Sequence, residues 1–205
     1  MCRMPKHRVR RVLTLSVLAV CSVALLGAGS PARSTKTVSP KKYARSVCTG
    51  VGTWVQTLQD GSTRIQADLS PAALGTLADT KTILDRAKTS VGSFMESAVA
   101  GTDTLLNRLA RAGTPDTPKG KKVAKKLVAG FRGIRSLLDD ARHAAQALPD
   151  NDAQAFTDGA QKVSGSITKG FDDFSAAFKS LDKLDPNHKL RKAFRAEPAC
   201  RALSQ

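Results

Sequence analysis

The sequence predicts an all-α fold: an elongated up-down four-helix bundle with a short fifth helix at its C-terminal end, closed by one disulfide. Three observations point there. Four long stretches repeat apolar residues at helical spacing, and breaks bearing Pro, Gly and Asp separate them. Aromatic residues make up only 4% of the chain and hydrophobic residues 41%, a balance that suits helix packing better than a sheet core and still supplies enough to bury. Finally, Cys48 and Cys200, the two cysteines beyond residue 21, fall where the helix count brings them to one end.

Residues 1–32 read as an export signal. Arg8, Arg10 and Arg11 form a positive region, Val12 to Gly29 is an 18-residue run without a charge, and the small residues Ser30, Pro31 and Ala32 follow. Ser30 and Ala32 suit a cut before Arg33. The run is close to the shortest bilayer span, so an uncleaved anchor is the main alternative. Cys21 after Leu18-Ala19-Val20 weakly suggests lipidation, and Arg10-Arg11 weakly suggests a twin-arginine signal. The expected location is secreted or extracytoplasmic. Residues 33–40 are polar and aperiodic and read as a flexible tether, and residues 41–205 as the bundle domain.

The first helix is expected over about Lys41–Leu69, with Ala44, Val47, Cys48, Val51, Trp54, Val55 and Leu58 on one face and Gly61-Ser62 as a potential interruption. Ser70-Pro71 reads as N-cap and first position of a second helix that runs to Ala112. Its stripe steps by seven through Leu77, Leu84, Val91, Ala98, Leu105 and Ala112, with Gly92 and Gly101 as potential kinks. Gly113-Thr114-Pro115-Asp116-Thr117-Pro118 is the clearest break: Gly113 suits the position after a helix end, and Thr117-Pro118 suits a cap and a start. A third helix over about Pro118–Leu148 carries Leu127, Phe131, Ile134, Leu138, Ala141, Ala145 and Leu148 in steps of four and three. After the turn Pro149–Asp152, a fourth helix to about Leu184 carries Phe156, Val163, Ile167, Phe171, Phe174, Phe178 and Leu181. Asp185-Pro186 ends it, and a short fifth helix over about Asn187–Ala196 delivers Cys200.

Short connections make neighbouring helices antiparallel, so the fourth returns to the end where the first began. Cys48 and Cys200 then share that end and are expected to pair outside the cell; an intermolecular bridge or two free thiols are the alternatives.

The formal net charge is +16. A chain beginning near residue 33 keeps 28 Lys+Arg against 17 Asp+Glu, a net of +11. Such a balance favours anionic partners, or serves only solubility. The most unusual local feature is Lys119, Lys121, Lys122, Lys125 and Lys126, followed by Arg132 and Arg135. Cations in the first turn of a helix oppose its dipole. These seven residues are therefore the candidate anion-binding site, for a cell-wall polymer or membrane surface rather than nucleic acid, since no base-reading motif is visible. A solvated face is the plain alternative.

No other chemistry stands out. His143 follows Asp139 by four residues, too little for a metal site, and His188 lies in a turn. Asp139-Asp140 and Asp172-Asp173 are sequence neighbours pointing about 100° apart and do not converge as an acid/base pair. Haem-attachment, zinc-protease, EF-hand, P-loop, Rossmann and nucleophile-elbow patterns are all missing from the sequence. No catalytic residue, metal or cofactor is expected. Trp54 and the phenylalanine stripe read as core.

Cys48 with Trp54, Ala112-Gly113-Thr114-Pro115 before a Lys-rich helix, Ala155-Phe156 after a Pro-Asp turn, and Glu197-Pro198-Ala199-Cys200 together resemble the uncharacterised small secreted helical proteins of actinobacteria. The likeness covers most of residues 43–200. It implies a cell-envelope or extracellular protein and supports the cysteine pair, and it transfers no catalytic residue. The expected role is thus non-enzymatic binding or structure at the cell envelope. A sensor or carrier bundle holding a small apolar ligand between helices is the second expectation.

Overall fold

Ser39 and Pro40 open the first long helix as a cap and first-turn residue. The Ser39 hydroxyl accepts the Lys42 amide at 3.3 Å, and proline at the helix start lacks only a hydrogen that would have no partner there. The computed structural model describes residues 36–75, 79–179 and 183–203, all within a unit that begins at Thr35. The expected export signal therefore lies outside the described residues, as do the side chains of Leu74, Leu77, Phe178 and Leu181.

The described chain is mostly helical, with seven helices and two short strands. In order these are β1 (Thr37–Val38), α1 (Pro40–Asp68), α2 (Pro71–Leu74), α3 (Thr80–Arg111), β2 (Thr114–Pro115), α4 (Gly120–Gln146), α5 (Ala153–Lys179), α6 (Lys189–Ala196) and α7 (Pro198–Ala202). α1 runs unbroken through Gly61-Ser62, and α3 through Gly92 and Gly101.

Three expectations need correction. The helix expected over Pro71–Ala112 is two helices. Ser70 caps α2 as expected, but α2 stops after one turn at Gly75, and Asp79 starts α3 by accepting the Thr82 amide at 2.9 Å. A strong local cap beats the seven-residue stripe across a glycine of low helix propensity. Second, α4 begins at Gly120, not at Pro118, with Lys119 as its N-cap; Thr117 caps nothing, and its buried hydroxyl finds no partner among the described residues. Third, a purely helical chain carries no strand, whereas β1 and β2 pair in parallel, Thr37 opposite Thr114 and Val38 opposite Pro115. The Thr114 amide donates to the Lys36 carbonyl at 3.0 Å and the Asp116 amide to the Val38 carbonyl at 2.8 Å, so part of the segment expected to be a tether is paired and Val38 is buried.

Glycine makes this pairing feasible. Gly113 holds φ +83°, the left-handed conformation expected after a helix end, and turns the chain back along β1. A Cβ at Gly120 would collide with the Pro115 carbonyl, so the start of α4 approaches β2 only without a side chain.

α1 packs on α3, α3 on α4, and α4 on α5, while α6 and α7 pack on α1. Side-chain partners give each direction. Along α1 and α3, Asp68 meets Ser90, Gly61 lies against Phe94 and Gly50 against Leu105, an antiparallel pairing. Asp103 meets Arg135 between α3 and α4, and Lys88 reaches the Leu148 carbonyl. Between α4 and α5, Gly130 lies against Phe174 and Gly170 against Leu137. The core runs between these helices through Val47, Trp54, Leu105, Leu127, Phe131, Ile134 and Leu138, all buried. The phenylalanine stripe of α5 is only half-buried at Phe156, Phe171 and Phe174, because α5 rests chiefly on α4.

Cys48 and Cys200 form a disulfide, with Cα atoms 5.0 Å apart, joining α1 to α7 as the helix count required. Leu190 of α6 is buried nearby, and Phe194 meets the buried Tyr43 ring edge-on at 6.4 Å. Linking residues 152 positions apart removes about 5 kcal/mol of unfolded-state loop entropy in the chain model, an upper figure.

Candidate functional site

α4 positions the lysine cluster. Its buried face is Val123, Leu127, Phe131, Ile134 and Leu138. At 100° per residue the opposite face carries Lys121, Lys125 and Arg132, with Lys122 alongside. Lys119 and Lys126 flank it, and all six are exposed. No ion pair among the described residues involves Lys119, Lys121, Lys122, Lys125 or Arg132.

The start of α4 differs from those of its neighbours. α1, α2, α3 and α5 begin with Ser39, Ser70, Asp79 and Asp152, each accepting an amide of its own first turn. Lys119 makes no such bond, and no acidic residue stands in the first turn of α4. The first turn of α4 therefore has no acidic side chain of its own where the helix amides and the macrodipole both favour negative charge.

Arg135 is drawn away from the cluster. Its guanidinium donates to Asp103 at 2.9 and 3.3 Å and lies 3.6 Å from Asp139. The Asp103 carboxylate raises the pKa of Arg135 beyond its already high value. Asp139 accepts from Arg142 at 2.8 and 3.1 Å, and this bond, with the charges of Arg142 and Arg135 helping, holds its pKa below the usual carboxylate range. Asp139 thus serves Arg142 rather than the exposed His143, which lies against Arg142 at 3.1 Å. Asp173 pairs with Lys169 on the surface. The structure consequently brings Lys121, Lys122, Lys125 and Arg132 together, keeps Lys119 and Lys126 at their margin, and assigns Arg135 to the α3–α4 contact.

Trp54 is core, as its spacing indicates, and it has a polar partner the sequence reading missed. Thr102 is fully buried on the α3 stripe between Ala98 and Leu105, and its hydroxyl accepts the indole N–H at 2.9 Å while donating to the Ala98 carbonyl at 2.7 Å. The available signal was that a buried indole needs an acceptor. The Trp54 ring meets Phe131 edge-on at 5.6 Å and lies tilted against Phe171 at 6.1 Å.

Between α1 and α3, a groove of about 150 Å³ is lined by residues including Gly61, Arg64, Asp68, Ser90 and Phe94. Two of its polar side chains meet, Ser90 donating to Asp68 at 2.8 Å. Among the described residues, no three His, Cys, Asp or Glu side chains gather as a metal site, and no helix is long and apolar enough to cross a membrane.

Comparison with known proteins finds no matching family model, no matching curated protein and no matching solved structure.

Proposed function

We propose that the chain is a non-enzymatic, exported binding protein of the cell envelope, in which α1, α3, α4 and α5 constitute an up-down four-helix bundle that presents the start of α4 to an anionic polymer or lipid. The antiparallel side-chain partners along each helix pair support the bundle reading. The charge-free run Val12–Gly29 behind Arg8, Arg10 and Arg11 supports export, as does the disulfide, which is characteristic of oxidising compartments.

One observation carries the binding role: α4 begins with exposed Lys119, Lys121 and Lys122, which have no ion-pair partner among the described residues, and its N-cap side chain accepts no amide. Each cation there disfavours the helix by about 0.3–1 kcal/mol. A bound anion reverses that sign. The test is co-sedimentation with anionic vesicles and with isolated wall polymer at low and raised salt. Replacing Lys119, Lys121, Lys122, Lys125 and Lys126 by Gln should abolish the salt-sensitive fraction. Unchanged binding by that variant, with its helicity intact, rules the reading out. The groove between α1 and α3 does not favour the carrier alternative, since most of its lining residues are polar.

A further inference from the structure

The positive charge of this protein is gathered at one end of the fold. Three segments distant in sequence meet there. The β1–β2 pairing sets the start of α1 beside the turn between α3 and α4. The Cys48–Cys200 bond and the Tyr43–Phe194 contact bring α6 and α7 to the same part of α1. Residues 36–48, 105–126 and 183–203 carry 17 Lys+Arg and three acidic residues, a net of +14. Of those acids, Asp185 and Glu197 are buried, Asp185 accepting the Arg191 amide at 2.8 Å and Glu197 facing Arg45 at 3.5 Å. The rest of the chain from residue 33 onward carries a net of −3.

α6 is built to face outward from this end. Leu190 and Phe194 turn in against α1, leaving Lys189, Lys192 and Arg195 exposed. Cations on α1, α4 and α6 make an array contributed by three elements rather than a slot or a single stripe. A linear polyanion would be tracked by the stripe on α4 alone. A plane of negative charge engages all three elements at once. In sequence, the first residue of this end, Lys36, stands seven residues after Gly29, the last of the 18-residue apolar run. Leu203 is the large apolar side chain exposed among the described residues, at 39%, so contact is electrostatic and not insertive.

We propose that this end is a membrane-facing surface that lies on a layer of anionic lipid headgroups, with α6 contributing alongside α4. The inference rests on the anion-binding reading above and extends it in partner and in residues.

The experiment uses the full chain and vesicles of phosphatidylcholine alone or mixed with phosphatidylglycerol. The readout is the ratio of binding to the two, so that any contribution of residues 12–29 common to both cancels. The variants are K189Q/R191Q/K192Q/R195Q on α6, the five-lysine Gln variant on α4, and R64Q/K162Q away from this end. Each charge at an anionic surface is worth about fivefold in binding. The α6 variant should lose at least about tenfold of the phosphatidylglycerol preference, the α4 variant a comparable amount, and R64Q/K162Q none. Should the fourfold change disturb folding, K189Q/K192Q, both exposed, carries the same expectation at about half the effect on a logarithmic scale. If the α6 variants keep the full preference while the α4 variant loses it, the inference falls and the anion-binding reading stands. If the protein ignores phosphatidylglycerol yet binds isolated wall polymer, the lipid assignment is overturned. Binding to neither overturns both.

Discussion

The Trp54–Thr102 hydrogen bond places a polar pair at the centre of an apolar contact. Thr102 is fully buried, and its hydroxyl sits 2.9 Å from the indole nitrogen. Thr102→Val keeps the shape and removes the acceptor. The indole N–H is then buried without a partner, which costs about 1–3 kcal/mol. The added methyl returns at most about 0.8 kcal/mol of apolar burial, and the Ala98 carbonyl keeps its helical amide partner. The net expectation is a loss of about 0.5–2 kcal/mol in urea unfolding followed by circular dichroism. The decisive comparison is the same substitution in Trp54→Phe, where no N–H is left to strand. There, Thr102→Val should cost nothing or stabilise slightly, so the double-mutant cycle should return a coupling of about 1–2 kcal/mol. Equal costs in both backgrounds, to within about 0.3 kcal/mol, would refute the assignment of this bond as the reason a threonine stands on the α3 stripe.

Peptide mapping of the unreduced protein should recover Cys48 and Cys200 in one linked pair, and replacing both by Ala should lower unfolding stability by up to about 5 kcal/mol. Tyr43, the only tyrosine, is 2% exposed, and burial pushes its pKa from 10.0 up to about 12. Its contribution is fully present below pH ~10, the unfolded value, and is lost as pH rises toward the folded value. Phenolate absorbance should therefore titrate late in the folded protein, and stability should fall by about 3 kcal/mol across that window; a midpoint near the ordinary value would contradict the buried position against Phe194. Gly113→Ala forces an L side chain into φ +83°, costing about 1–2 kcal/mol, and pushes on the Lys36 carbonyl; hydrogen exchange at the Thr114 and Asp116 amides should accelerate first. Lys121→Gln with Lys122→Gln should raise unfolding stability by about 0.3–1 kcal/mol per residue, while weakening anion binding; a fall in stability would mean that the lysines make intramolecular contacts.

The long helices, their order and the cysteine pair were legible because each is written locally or follows from a count. The seam Leu127–Phe131–Ile134–Leu138 and the caps Ser70 and Asp152 are readable within one turn of chain. Other features depend on partners far along the chain. The two-residue strands carry no periodicity of their own and exist because Gly113 returns the chain to Lys36, some 77 residues earlier in sequence. The break between α2 and α3 was hidden by a stripe that continued through Leu77, and the capping role of Asp79 went unread. Tyr43 and Thr102 escaped an apolar pattern because each is polar at one atom and buried for the rest. On the candidate site, the lysines were legible as a run, but the withdrawal of Arg135 was not, since Asp103 lies 32 positions away on another helix.

The charge arrangement cannot be attributed to helix electrostatics alone. Arg108 and Arg111 at the end of α3 sit where the macrodipole welcomes a cation. Had only such residues gathered at this end, stability would account for them. The lysines of α4 stand at the opposite kind of terminus, where the same physics penalises them, and they do so in the helix whose N-cap residue offers no acceptor. α6 also has a cation at its first position, Lys189, but there the buried Asp185 accepts the first-turn Arg191 amide and offsets it. The start of α4 therefore concentrates cations against its dipole at the end that already holds the favourable ones. Solubility requires net charge but is indifferent to where on the fold it sits. A spatially segregated charge, partly held at an energetic cost, is what an external layer of negative charge would repay.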